Sequence, residues 1–567
     1  MPPIDIPGGG IDLKFPNFIK GYMNKKILIF FLLTLFVSCT NIDSTPPGIS
    51  TEPVPSETHI PSTRIGSTAT LLPTEAAALI THTSEVLPIP TTIGPDTFPE
   101  GFNPLTGLSV SDPARLDHPA LLLSVTHFPP QSRPQSGFFF TPFVYEFYIT
   151  EGATRHLAVV YGEFPAPEIP LHGECGVRSE PLPQAEVVLG NRVWHDTNEN
   201  GIQDPREEGI GGICVNLLEA NGTRLQQTTT DSNGYFGFAV EAGAYILEFE
   251  IPAWLKFTEP DAGEDRMDSD ADPASGQVVE ITASHSSSLF WDAGLVVSSE
   301  MTPTPDPERE LPDAVFGPIR SGRIFYRFFA AMYEDSCLIY AGADPAVRRE
   351  IPACAMVTQT AENGGGRLTL ERLAKISEQV KENNGGFNYA SNLFSDEPPA
   401  GGQPVSELRE FWGFLNQSKW TYDAASGSWW RYIDESDPAT AGQLFPLLDR
   451  LNGRQVQYEN IILMFAEHTV IRPTIIDINL APGNQGKAYH FRDGRMYEIR
   501  WSTVANEYQQ ETGRGLPMRF VNTDGTPAAL KPGKTWVIMF SLESYLEDLK
   551  SGIFRARFVP PPGAKLE

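Results

Sequence analysis

The chain has 567 residues, 71 of them acidic against 42 basic, a formal net charge of -29, and 41% hydrophobic content. That length and apolar content call for several domains with real cores, and so acidic a balance argues against a nucleic-acid partner while fitting an extracellular, cation-rich setting. Five cysteines in this length exclude a disulfide scaffold, and no Cys-x-x-Cys pair points to zinc or thioredoxin-like redox work.

Residues 1–22 lie upstream of a complete export signal, so Met23 is the expected start. Lys25 and Lys26 form a basic n-region, and Ile27 to Val37 an apolar run too short to span a bilayer. The run ends in Phe36-Val37-Ser38-Cys39, which resembles a bacterial lipobox with Phe where an aliphatic residue is usual. The resemblance implies cleavage before Cys39, a lipid on that cysteine, and an extracytoplasmic protein tied to the membrane surface. An ordinary signal peptide with an incidental cysteine is the other reading. Residues 40–97 are dominated by Thr, Ser and Pro and read as a disordered tether.

A host domain begins over 98–165. Leu121-Leu-Leu-Ser-Val125 is a buried-strand run, Phe138 to Ile149 is aromatic and β-branched, and His156 to Tyr161 is a further strand. Pro-rich sequence from Pro165 to Pro183 marks a linker over 166–186.

Residues 187–297 hold the clearest chemistry. Asp196-Thr-Asn198-Glu-Asn200-Gly201-Ile202-Gln-Asp204-Pro-Arg-Glu207 fits the calcium-loop spacing D-x-[DN]-x-[DN]-G-x5-E. Asp196, Asn198, Asn200 and Asp204 offer side-chain oxygens, Ile202 its carbonyl, and Glu207 a carboxylate able to bind through both oxygens. No His or Cys stands at ligand spacing, so calcium suits the set better than zinc. The flanks are short strands, not the amphipathic helices of an EF-hand, with an Asn221-Gly222 hairpin signal between two of them. A β-sandwich follows. Cys214, on a strand beside apolar residues, reads as simply buried. The segment resembles the SdrD-type B repeat of bacterial surface adhesins, through Gly190-Asn-Arg-Val-Trp194, the loop itself, Thr230-Asp-Ser-Asn-Gly-Tyr-Phe-Gly-Phe238 and Trp291-Asp-Ala-Gly294. The resemblance implies an immunoglobulin-like spacer stiffened by calcium. Asp268, Asp270 and Asp272, and the pair Asp231 and Asn233, are either further cation ligands or solvated acidic loops.

A second Pro-rich linker, 298–311, brackets the module, which suggests an insertion into a loop of the host. The host resumes over 312–404: Ile324, Phe328 and Ala331 make a helical stripe, Leu338 to Tyr340 a strand, and Thr369 to Asn383 an amphipathic helix stopped by Asn384-Gly385-Gly386. Cys337 and Cys354 either pair or stay free. Residues 405–567 return to β character, with strands at Ile461 to Phe465 and Thr535 to Phe540, a hairpin around Asp493-Gly494 and a second turn signal at Asp524-Gly525. The expected fold is multi-domain α+β: a mixed α/β host interrupted by an Ig-like β-sandwich, then a mainly antiparallel β C-terminal domain.

Asn103-Pro-Leu-Thr-Gly107, Arg133-Pro-Gln-Ser-Gly137, Val144-Tyr-Glu146, Glu151-Gly-Ala-Thr-Arg155 and Gly317-Pro-Ile-Arg320-Ser321-Gly-Arg323 resemble the YerB-like bacterial lipoproteins, a family of unknown function with an N-terminal and a C-terminal part. Tyr340-Ala-Gly-Ala343 and Phe387-Asn388 depart from the family's His-Ala-Gly-Gly turn and His-Asn pair. The resemblance implies a location and an architecture and no activity.

One binding site can be assembled across the split. Ser321 stands where the second-half helix is expected to begin, between Arg320 and Arg323, with Arg133 and Arg155 in turn-like stretches and Glu146 and Glu151 as nearby carboxylates. The set reads either as a pocket for a phosphate or carboxylate of an envelope polymer or as a structural Arg/Glu network. Glu146 and Glu151 facing one cleft would allow an enzyme acting on wall glycan. Trp412, Trp420, Trp429 and Trp430 are core or a sugar-stacking surface. The reading that follows is a lipid-anchored envelope protein that binds wall polymer or a surface partner, with a calcium-stabilised spacer.

Overall fold

A strand that is apolar at successive positions has to be covered on both faces. Leu121–Thr126 and Phe143–Thr150 meet that condition and are buried along almost their whole length. The structure, a computed structural model, describes residues 92–284, 286–298, 313–358, 365–383 and 387–565, so the export signal, Cys39 and most of the tether lie outside the described residues. Thr92–Ile93, at the end of the expected tether, pairs with Leu393–Ser395 and is part of the host.

Among the described residues the host is organised on a 13-stranded mixed sheet. Ala153–Val160 lies between Leu121–Thr126 and Phe143–Thr150, antiparallel to both. Phe143–Thr150 then pairs in parallel with Thr535–Ser541, and that strand in parallel with Asn460–Ala466. On the far side of Leu121–Thr126 stands Cys337–Tyr340. Strands from 98–165, 312–404 and 405–567 therefore build one sheet.

Period-two alternation sorts the side chains. Val144, Tyr148, Trp536, Ile538 and Phe540 point to one face, where the sheet of Glu407–Gly413, Asn416–Asp423 and Ser428–Ile433 packs through Trp412, Trp420 and Trp429. Tyr145, Phe147, Val537 and Met539 point to the other, against Phe325, Tyr326 and Phe329 of the helix region Tyr326–Met332. Trp412, Trp420, Trp429 and Trp430 are all buried, so they are core and present no stacking surface.

Two local expectations need correction. Phe138–Phe140 is a 3-10 turn and not strand, because the Asp449 carboxylate accepts from the amides of Gly137 at 2.9 Å and Phe139 at 2.8 Å and bends the chain there. The helix begins at Tyr326 and not near Ser321. Arg320 N donates to Ser124 O, Gly322 N to Gly342 O, and Arg320 O accepts from Ala341 N, so tertiary pairing holds this stretch extended.

Residues 188–297 form the expected sandwich. One sheet carries Val188–His195, Tyr235–Ala239, Leu255–Phe257, Ser288–Leu289 and Ala293–Val297; the other carries Cys214–Glu219, Arg224–Thr229, Gly243–Glu250 and Gln277–Ala283. Leu189, Val193, Val215, Leu217, Phe236 and Phe249 fill the space between them. The Pro-rich segment before it lies along the sandwich: Gly173 N donates to Gly211 O at 2.8 Å, Cys175 N to Gly212 O at 3.0 Å and Arg178 N to Thr230 O at 3.0 Å. Cys214 is not a free buried thiol but is disulfide-bonded to Cys175, with the Cα atoms 5.5 Å apart. Cys337 and Cys354 form a second disulfide.

Candidate functional site

Asp and Asn favour turns because their side chains bond to backbone two to four residues on. The 196–207 loop is made of such turns. Asp196 accepts from Asn200 N at 3.2 Å and Gly201 N at 2.8 Å, and from Thr258 Oγ1 at 2.5 Å. Asn198 and Asn200 both donate to Asp204 Oδ2, at 2.7 and 3.0 Å. Ile202 N donates to Asn200 Oδ1. Glu207 closes the loop, accepting from Thr197 N at 2.7 Å through one oxygen and from Asp204 N at 3.1 Å through the other. Gly201 has φ +75°, and a Cβ there would meet Glu259 O at 2.6 Å, so both conformation and space require glycine. Asp196 is 1% exposed and Glu207 5%, and among the described residues neither belongs to an ion pair.

Of the residues expected to build the binding site, Arg155, Ser321 and Arg323 come together. Arg155, 3% exposed, donates through Nη1 to Ser321 O and Ser321 Oγ, both at 3.3 Å. Arg323 Nη2 is 3.4 Å from the same hydroxyl, and its Nη1 donates to Thr474 O. Burial pushes the Arg155 guanidinium well below its ordinary pKa; the nearby Arg323 and Arg320 push it further, and Tyr326 opposes them. Ser321 lines cavities of about 540 and 260 Å³, and Arg323 lines the smaller.

Arg133, Glu146 and Glu151 stand elsewhere, each with its own partner. Arg133 donates to Asp434 O at 2.7 Å and lies over the Phe128 ring. Glu151 sits at a turn with φ +47° and pairs with Lys565. Glu146, wholly buried, accepts from Arg431 Nη2 at 2.7 Å and Trp536 Nε1 at 3.0 Å. Burial alone would raise its pKa; Arg431, His156 and Trp536 reverse that and hold it at about 2. Glu146 and Glu151 thus share no cleft. Arg431, which was not among the residues expected at the site, also holds Glu410 at 2.9 Å. Its signal was there: a charge in each of two otherwise apolar strands, Val144-Tyr-Glu146-Phe and Trp429-Trp-Arg431-Tyr, each demanding an opposite charge.

Comparison with known proteins bears on two stretches of the chain. Residues 187–295 match the family model of the SdrD B-like domain. This segment is an SdrD B-like domain. Residues 411–537 match the C-terminal domain of a protein of unknown function, DUF3048. A fibrinogen-binding protein of Staphylococcus epidermidis is 39% identical over 107 residues, 19% of this chain and 9% of that protein. Serine-aspartate repeat-containing protein C of Staphylococcus aureus strain N315 is 42% identical over 97 residues, 17% of this chain and 10% of that protein. The chain therefore spans about a tenth of the length of these relatives. The crystal structure of YerB protein from Bacillus subtilis aligns over 77% of this chain and 96% of its own, with 16% identity and a TM-score of 0.40.

The SdrD B-like domain is held against the host by charged side chains that sequence reading did not single out. Arg178 bonds Asp423 of the host at 2.7 Å and lies 3.7 Å from Asp231 of the domain. Asp231 thus faces a guanidinium, and it also accepts from Asn233 N, Tyr235 N and Gln457 Nε2. The Asp268 to Asp272 stretch is likewise engaged: Asp268 accepts from Gly263 N, Asp270 from Asp292 N, and Asp272 from Ser275. Burial, with carboxylates of the same stretch nearby, raises Asp270 to about 7.

Proposed function

We propose that this chain is an exported, lipid-anchored envelope protein, with the lipid on Cys39, which binds an envelope polymer or a surface partner and carries a calcium-stabilised SdrD B-like domain. The observation that carries the calcium half is the 196–207 loop: Asn198 and Asn200 meet Asp204, Asp196 and Glu207 fold back on the loop's own amides, and two buried carboxylates lack an ion-pair partner among the described residues. A hard cation with flexible oxygen coordination fits that donor set. Asp196, Asn198, Asn200, Asp204, Glu207 and the Ile202 carbonyl would hold it, and calcium would supply the positive charge that the two buried carboxylates call for.

The binding half rests on Arg155, a buried guanidinium near those of Arg323 and Arg320, and on its partner Ser321, which lines two cavities together with Asp344. The guanidinium side of such a place favours an anion, a phosphate or carboxylate of the polymer. One relative of the SdrD B-like segment is named a fibrinogen-binding protein, which supports an outward-facing role. Two measurements test the reading. The melting temperature of the full chain should rise with calcium and fall in chelator, and Asp196→Ala should reduce the shift; a melting curve indifferent to chelator removes the calcium. Binding to purified wall polymer should weaken in Arg323→Ala and fade with salt; equal binding by wild type and variant removes the anion site.

A further inference from the structure

We propose that calcium binding in the 196–207 loop and docking of the SdrD B-like domain on the host are one coupled equilibrium, joined by the buried guanidinium of Arg454. The inference rests on the calcium reading above and adds what the cation controls.

The coupling starts at the last loop ligand. The Glu207 side chain closes the loop, while its backbone carbonyl accepts from Arg192 Nη2 at 3.0 Å. Arg192 Nε donates to Asn233 O at 3.1 Å, so one guanidinium ties the loop exit to the 231–234 turn. Gly209 presses on the same turn: a Cβ there would lie 1.8 Å from Asn233 O. The loop exit cannot shift without moving the turn.

Arg454 reaches both from the host. It is 1% exposed and donates through Nη1 to Gly209 O at 3.0 Å and to Ser232 O. Its Nε and Nη2 donate to Glu168 Oε1 at 3.1 and 2.6 Å, and Glu208 Oε2, beside the ligand Glu207, lies 3.3 Å from Nη2. The host residues that follow repeat the grip, Gln455 N donating to Ser232 Oγ at 3.2 Å and Gln457 Nε2 to Asp231 Oδ2 at 3.3 Å. A buried guanidinium deprived of its acceptors is costly, so the host tolerates only a narrow range of loop-exit positions. A cation that fixes Glu207 selects that range. Linkage then requires the converse, that docking tightens calcium binding by the same factor.

The test is calcium titration of the full chain and of Arg454→Ala by calorimetry, together with backbone amide exchange in calcium and in chelator. Chelator should speed exchange at Gln457 in the host as well as in the loop, and Arg454→Ala should weaken calcium binding by about fivefold or more. If Arg454→Ala does not fold, Gln457→Ala and Arg454→Lys read the same coupling, with Gln184→Ala, which loses a host contact away from the loop, expected to leave affinity unchanged. Calcium affinity equal in all variants, with host exchange indifferent to chelator, overturns the coupling and leaves the calcium reading intact. Wild type that takes up no calcium overturns both.

Discussion

The most consequential single position is Arg431. Its two Nη atoms hold Glu146 and Glu410, and its guanidinium lies 4.8 and 4.6 Å from the rings of Trp420 and Trp536. Two buried carboxylates share one cation, so Glu146 is held down while burial and the nearby Glu146 raise Glu410 above its ordinary range, against the pull of Arg431. Removing the cation strands both. Arg431→Ala is expected to cost about 3–5 kcal/mol in urea unfolding, whereas Glu151→Ala, at an exposed turn, should stay within about 0.5 kcal/mol. A small loss at Arg431 would mean that the network adds little to the core. Buried histidines weaken the fold in acid, His127 and His156 among them, both held below the ordinary imidazole range by burial. Burial, the leading cause in each, pulls His468 to about 4 and His490 to about 3. The unfolded chain therefore takes up these protons first, and stability, full above pH of about 6.5, falls by about 1.4 kcal/mol per pH unit and per group until each folded value is passed. His490→Gln should make the slope of unfolding free energy against pH shallower between about pH 6 and 4; an unchanged slope would assign the acid sensitivity elsewhere.

At the scale of elements, the informative contrast is between the 196–207 loop and the segment that precedes the sandwich. Every constrained position of the loop is local, so spacing alone identified the stretch in which Asn198 and Asn200 meet Asp204 and Glu207 folds back on Thr197. Hairpins marked by Asn221-Gly222 and Asp493-Gly494 were legible for the same reason, glycine taking positive φ at each. The path of residues 166–186 was not legible. An extended Pro-rich segment carries no periodic face, and its position is decided by partners distant in sequence, such as Gly211, Thr230 and Asp423. The Cys175–Cys214 disulfide was hidden with it. That crosslink closes a loop of 39 residues, and its loss should cost about 4 kcal/mol on the chain-entropy view. Cys175→Ser should lower the melting temperature of the sandwich, and reductant should then add no further loss from that bond. An equal melting temperature would show that the backbone bonds of Gly173, Cys175 and Arg178 hold the segment unaided.

Across the whole molecule, strand content and the apolar runs were readable, but the order of strands in the host sheet was not. Phe143–Thr150 and Thr535–Ser541 look like ordinary buried strands, and nothing local says that they are neighbours. Their pairing joins parts of the chain that the sequence analysis assigned to separate domains, and it supports a direct test. Cutting between 404 and 405 would open that edge over Phe143 to Phe147 and Thr535 to Met539, leaving buried-type apolar strands unpaired. It would also separate Glu146 from Arg431 and Trp536, so each fragment would carry a charge built for burial without its partner. Made apart, fragment 405–567 should be insoluble or lack a cooperative unfolding transition, and in fragment 92–404 only the sandwich, with its own core, should unfold cooperatively. Made together they should recover native tryptophan fluorescence, because Trp536 packs against Phe138 and His156 of the other fragment, with ring centroids 5.3 and 5.1 Å apart. A fragment 405–567 that unfolds cooperatively alone, with blue-shifted emission, would show that the sheet is two bodies that merely abut.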